Sequence, residues 1–278
     1  MDLDEIVYET EGGVADIVLN RPDRLNVISA RPGGTRDQIL SALERAEADS
    51  SVGCVVLRGA GRSFSGGGDL TGNARRERPL DDYRFMAAVD RFHDRVRTSG
   101  VPIVAAVHGY CLGAAVSLVA CCDFVLAAES ARLGYPEGRL GLVGASAVVP
   151  VVGRQWAKYL MLTGELVSAA RARDMGLVLT VEPDGRLVER AHDLAGRIAR
   201  MPREAVLLNR RAIDAVADAA GDAAGRVAAL AHDTVTAAMA AHATAPDGRT
   251  FRAIIDGEGM EGVKAARLQQ YTDPWLPS

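Results

Sequence analysis

The chain lacks the features that would place it in several large classes of protein. No two of its four cysteines have CxxC spacing, and none stands beside a cluster of histidines or aspartates, so neither a zinc ribbon nor a disulfide scaffold is indicated. Cys54, Cys111, Cys121 and Cys122 lie in apolar or small-residue runs and are expected to be buried, reduced thiols of a cytoplasmic protein. A basic excess is also missing. The 32 Lys and Arg against 36 Asp and Glu leave a net charge of -4, with no basic run longer than a few residues, which argues against a nucleic-acid footprint. Glycine, proline or charge interrupts every apolar stretch well short of the ~18 residues of a membrane span. The acidic opening MDLDEIVYETEGG has none of the basic-then-apolar pattern of a secretion or import signal. Aromatics are only 5% of the chain, yet 48% of its 278 residues are apolar, enough for a large core without staples.

What is present is alternation. The runs IVYET, ADIVLN, CVVLRG, PIVAAV, DFVLAA and LVLTV are rich in Val, Ile and Leu and are flanked by turn residues, as buried strands are. Between them, Thr35 to Asp49 carries Ile39, Leu43 and Ala46 at helical spacing. Leu80 to Val96 does the same with Phe85, Val89, Phe92 and Val96. This predicts an α/β core of stacked βαβ units. From about Arg186 the strand signal ends, and Ala-rich helices run to about Ala243.

Three segments suggest chemistry. Gly59 to Leu70, GAGRSFSGGGDL, is a glycine-dense loop after a strand, suited to bringing backbone N–H groups close to an oxyanion. A phosphate-binding loop would end in Lys-Ser/Thr, which is absent, and Asp69 would repel an anion there. Pro102 to Asp123, PIVAAVHGYCLGAAVSLVACCD, is a strand, a glycine turn and a helix of small residues. The first N–H groups of that helix suit a developing negative oxygen, while its small residues equally suit tight packing on a sheet. Ala131 to Gly144, ARLGYPEGRLGLVG, isolates Glu137 among apolar neighbours, where it is either a general base or a solvated loop carboxylate. His108, in the second turn, reads as a structural imidazole.

In this order and spacing the three segments resemble the enoyl-CoA hydratase/isomerase family, also called the crotonase superfamily. The resemblance extends through LNRPDRLNVIS, GRSFSGGGDL, VHGYCLGAAVSLVACCD, LGYPEGRLGL and GRQWAKYLMLTGELVSAARARDMGLV. It implies a crotonase-like spiral of ββα units over residues 1–190, holding the CoA and acyl site, and a helical C-terminal trimerisation region over 191–278. It also implies an acyl-CoA thioester partner, no metal, no cofactor beyond the CoA of the substrate, and assembly into homotrimers or hexamers. By the same resemblance Gly68 and Ala114 supply the N–H groups of an oxyanion hole, with Gly113 beside them. Asp69 and Leu70 line the CoA passage, Arg24 and Leu25 lie near the nucleotide end, and Lys264, Arg267 and Phe251 are tail residues that contact CoA.

The acid/base inventory departs from the family pattern. Hydratases of this family place one glutamate three residues after the second oxyanion position, where this chain has Ser117, and another where it has Glu137. A serine is no carboxylate base, so the resemblance implies single-glutamate chemistry on a thioester enolate by Glu137, in an enoyl-CoA hydratase or isomerase. A hydroxycinnamoyl-CoA hydratase-lyase or another specialised acyl-CoA dehydratase or hydrolase is an alternative. A non-catalytic acyl-CoA- or RNA-binding relative is a third reading. VGASAVVPVVG also replaces a glycine-rich stretch after Glu137, so Val143, Val148 and Val149 are expected either to line the acyl site or to pack in the core, with Pro150 opening the next helix.

Overall fold

A computed structural model describes residues 3–70, 78–141, 144, 146–268 and 274–276, leaving aside the side chains of Ser146, Ala241, Met260 and Leu268. The first elements are a hairpin, β1 (Ile6–Glu11) and β2 (Val14–Leu19), then α1 (Thr35–Ala48) and β3 (Cys54–Gly59). Next come α2 (Pro79–Arg97), β4 (Ile103–Val107), β5 (Tyr110–Leu112), α3 (Ala114–Val119), β6 (Phe124–Ala128) and β7 (Arg132–Gly134). After a 3-10 turn at Pro136–Leu140 follow α4 (Val149–Thr163), β8 (Leu166–Ser168), α5 (Ala169–Asp174) and β9 (Thr180–Glu182). The chain then turns helical with α6 (Leu187–Ala199), α7 (Arg203–Ala219), α8 (Asp222–Met239) and α9 (Phe251–Leu268).

The main sheet has the order β1-β2-β3-β4-β6-β9, parallel apart from the β1–β2 hairpin. Parallel strands are covered on both faces, which explains why their sequences are nearly continuous apolar runs. Alternate residues divide between two cores. Val55, Leu57, Ile103, Ala105, Val125 and Ala127 face the larger one, which also takes Ile39, Ala42, Leu43 and Ala46 of α1. Cys54, Val56, Val104, Ala106, Leu126 and Ala128 face the other, where Leu187, Ala191 and Ala195 of α6 pack at four-residue spacing. The expected boundary between residues 190 and 191 therefore falls inside a helix that packs on the sheet.

Each apolar run contributes a strand, although LVLTV does so only at its end. Leu177 and Val178 drop into the core, and the Leu179 N–H bonds Val125 O at 2.7 Å before β9 begins. Three strands have no counterpart in those runs: β5, β7 and β8, each three residues long, form a second small sheet. Such short segments carry too little periodicity to be read; they are strands because distant loops meet there. Pro150 opens α4, Val148 is fully buried and Val149 is exposed, while Val143 lies outside the described residues. The four cysteines are free thiols, and no described helix is long and apolar enough to cross a membrane.

Helix α9 folds back on the body of the same chain. Its Phe251, Ile254, Val263 and Ala266 form a third apolar cluster with Leu140 and Ala245, and Leu70 packs against it. The tail thus covers both the segment that follows Gly68 and the turn that follows Glu137.

Candidate active site

Two glycine loops are laced together before any catalytic group is placed. Phe64 N–H bonds His108 O at 2.7 Å, Ser65 N–H bonds Tyr110 O at 2.9 Å, and Leu112 N–H returns to Ser65 O at 3.1 Å. Contact is so close that glycine is required at two crossings. A Cβ on Gly109 would lie 2.1 Å from Arg62 O, and one on Gly67, at φ +97°, would lie 2.7 Å from Leu112 O. The early RPDRLN segment is tied on by Asn26. This residue is buried at φ 51°; its Oδ1 accepts from Arg21 N–H at 2.8 Å, and its Nδ2 donates to Ala60 O at 2.8 Å and Ser63 O at 2.9 Å. Sequence reading passed over Asn26, although a polar residue inside an otherwise apolar LNVIS run was the available signal.

The lacing brings Gly68 and Ala114 side by side: a Cβ built on Gly68 would lie 3.8 Å from Ala114 Cβ. The loop is tied on either side of Gly68, where Ile28 N–H bonds Gly67 O at 2.7 Å and Asp69 N–H bonds Ile28 O at 3.1 Å, and among the described residues the Gly68 N–H has no acceptor. Ala114 begins α3, so its N–H is among those without an intrahelical acceptor.

Glu137 is delivered to the same point by the 3-10 turn that Pro136 opens. Gly138 presses against the end of α4, where a Cβ would meet Met161 O at 2.1 Å, and Arg139 Nε donates to Thr163 O at 2.7 Å. The Glu137 carboxylate lies directly over the glycines that precede the two donors. A Cβ on Gly113 would sit 1.4 Å from Glu137 Oε1, and one on Gly67 would sit 3.1 Å from it. The residue is half-buried, but Oε2 is shut off from solvent and has no hydrogen-bond partner among the described residues. Burial pushes the Glu137 carboxyl up to about 7; its own backbone N–H, Arg267 and the Ala114 N–H pull in the opposite direction. A carboxylate near half-ionisation at neutral pH, beside two backbone donors, can take up and return a proton next to a polarised carbonyl.

Ser117 is buried, and its hydroxyl meets Tyr135 Oη and Gly144 O, each at 3.1 Å. Tyr135, two residues before Glu137, was not singled out in the sequence. Asp69 is buried and held by two cations, Arg21 at 3.6 Å and Arg24 at 3.5 Å. Leu25 takes a left-handed conformation, and its carbonyl accepts the Gly66 N–H at 2.6 Å. Lys264 points outward and pairs with Glu261, whereas Arg267, one helical turn on, is within electrostatic reach of Glu137. His108 Nε2 meets the backbone at Gly61 O, at 2.9 Å.

Comparison with known proteins gives the family and the fold. A family model described as enoyl-CoA hydratase/isomerase matches residues 9–249. A relative from Thermus thermophilus is 37% identical over 235 residues, 82% of this chain and 90% of its own. The short-chain-enoyl-CoA hydratase of Clostridium acetobutylicum is 31% identical over 219 residues, 77% of this chain and 82% of its own. A crystal structure of an enoyl-CoA hydratase/isomerase from Xanthobacter autotrophicus Py2 superposes with a TM-score of 0.90 at 30% identity, covering 98% of this chain and 100% of that one. With a crotonase fold, two laced glycine loops and a half-buried glutamate over them, the chain belongs to the enoyl-CoA hydratase/isomerase family of acyl-CoA-processing enzymes.

Proposed function

We propose that the chain polarises the carbonyl of an enoyl-CoA thioester with the N–H groups of Gly68 and Ala114 and moves protons with Glu137 alone. The observation that carries this reading is the position of the Glu137 carboxylate, packed on Gly67 and Gly113 between the two donors. Such preorganised donors are each worth about 3 kcal/mol to an enolate-like transition state. When the thioester oxygen takes over the Ala114 N–H, Glu137 loses a group that stabilises its anion and becomes the stronger base.

In hydration, Glu137 accepts a proton from the attacking water as the C–O bond forms at Cβ, and the enolate then recovers a proton at Cα from the same carboxyl. In isomerisation, Glu137 removes a proton at Cα and returns one at the far end of the migrating double bond. CoA enters as part of the substrate, so neither route needs a further cofactor. Arg24 and Leu25, outward of Asp69, face the nucleotide end, and Leu70 borders the passage between that end and α9.

The test is mass spectrometry in deuterated water with 2-enoyl-, 3-enoyl- and hydroxycinnamoyl-CoA thioesters. Water addition indicates a hydratase, double-bond migration with exchange at Cα an isomerase, and loss of a two-carbon thioester the lyase branch. No reaction and no exchange on any of them would sink the Glu137 mechanism.

Ser117 occupies the position of the missing glutamate but holds Tyr135 and the backbone at Gly144 rather than a proton in flight. Ser117→Ala is therefore expected to lower kcat/KM by no more than about tenfold and to leave the shape of its pH profile unchanged. A shifted profile would make Ser117 part of the acid/base machinery.

Copies of the chain meet through α7 and α8. Leu208, Ile213, Val216, Val227 and Val235 stand outward on these helices, each more than half exposed. Light scattering is expected to give the mass of a trimer or hexamer, and a monomer at micromolar concentration would contradict this.

A further inference from the structure

A cavity of about 330 Å³ opens between the Glu137 turn, the segment leading into α9 and α9 itself. Its wall includes Arg139, Thr244, Phe251 and Arg267. The chemistry of that wall is uneven. Phe251, Ala245 and Ala266 give it some apolar surface, while two guanidinium groups and a hydroxyl make the lining mainly polar and provide donors for an anion.

Both arginines stand on the wall of one cavity; burial disfavours the charge on Arg267, and Arg139 adds to this. Among the described residues, the Glu137 carboxylate acts in the opposite sense on Arg267. Two like charges gathered at a cavity wall are stabilised when an anion of the ligand lies between them.

Position decides which anion. The cavity wall holds Arg139, two residues after Glu137 in the same 3-10 turn, and α9 packs on Leu140 of that turn, so the cavity adjoins the segment that carries Glu137, whose work is at the acyl carbons next to the thioester carbonyl. The phosphates of CoA are a pantetheine arm away from that carbonyl, whereas a carboxylate at the other end of a short acyl chain is a few methylenes away. About 330 Å³ is at the small end of ligand cavities, which suits a short chain.

Resting on the thioester reading above, we infer that this cavity binds a terminal carboxylate of the acyl group through Arg267 and Arg139, so that the preferred substrates are thioesters of short dicarboxylic acids. Arg267 is the specificity residue. Arg139 contributes charge while its Nε also holds Thr163 O.

The experiment is calorimetric binding of saturated thioesters, which needs no turnover. Succinyl, glutaryl and adipyl thioesters of N-acetylcysteamine are compared with methyl-ended counterparts of the same length, alongside the same acyl groups on CoA. At least one carboxylate-ended thioester is expected to bind about tenfold or more tightly than its neutral counterpart on either carrier. Arg267→Leu and Arg267→Gln should abolish that preference, and Arg267→Lys should restore part of it.

The inference is overturned if no member of the series shows the preference in the parent protein, or if the preference survives Arg267→Leu. A loss confined to CoA thioesters, neutral ones included, would assign Arg267 to phosphate and also overturn it. Dicarboxylate preference without any reaction of the unsaturated thioesters would keep this inference and remove the enoyl mechanism; the reverse pattern would do the opposite.

Discussion

Glu137→Gln is expected to lower kcat/KM by about three orders of magnitude and, at alkaline pH, to make the protein more stable than the parent. The first effect is the loss of the only proton carrier assigned to the site, where general acid–base catalysis is commonly worth ~10²–10⁴. The second follows from burial. The carboxyl titrates at about 7 in the fold against 4.5 for the free side chain, so the fold favours its neutral form. That contribution is fully present below pH 4.5 and is lost as pH rises through about 7.

Above that range the parent forgoes no more than about 3 kcal/mol, on the order of the shift at 1.36 kcal/mol per unit. Glutamine stays neutral throughout, so the advantage of the variant should grow between pH 5 and pH 8 in denaturant unfolding. A base that must be ionised also predicts that kcat/KM of the parent rises with pH through about 7. Activity within tenfold of the parent, or a stability difference independent of pH, would count against Glu137 in this role.

Gly113→Ala should be the most damaging small substitution in the chain. Gly113 has φ +51° and ψ -115°, a conformation that residues with a Cβ rarely adopt, and the added methyl would fall 1.4 Å from Glu137 Oε1 and 2.1 Å from its Cδ. Either the carboxylate is expelled or the start of α3 shifts, and both separate the base from the Ala114 N–H. Activity is expected to fall by about a hundredfold or more, with stability down by roughly 1–3 kcal/mol. Gly196→Ala is the control, since that glycine lies in α6 with open space around it, its nearest neighbour being the tip of Arg200 at 3.7 Å. Near-parent turnover in Gly113→Ala would show that the loop can move without disturbing the site.

Much of this arrangement was legible before any coordinates. The apolar runs marked the strands of the main sheet because a parallel strand buried on both faces has to be apolar along its length. Ile39, Leu43 and Ala46 marked the inner face of α1, and the order of the glycine segments and the Glu137 loop marked the family. Glycine density in GAGRSFSGGGDL was visible too, but the reason for it was not: Gly67 is required because Leu112 O, from a segment some forty residues later, presses on it.

Other features exist only as contacts. The strands β5, β7 and β8 have no periodic signal of their own, and they pair because the glycine loops bring them together. Ser117 stood in the sequence as an absence of a glutamate, and in the fold it holds Tyr135 and Gly144. Lys264 and Arg267 looked equivalent as tail cations. In the fold Lys264 pairs outward with Glu261, while Arg267, one turn further along α9, stands at the cavity wall.

By itself, then, the sequence determined the layered α/β core, the helical tail, the pair of glycine loops and the isolated glutamate of the third segment, because periodicity, backbone freedom and side-chain type are local properties. Only the tertiary structure decided how basic that glutamate is, which donors it lies over and which cation of the tail it feels. Burial, desolvation and charge proximity depend on residues far apart in the chain, and no local pattern records them.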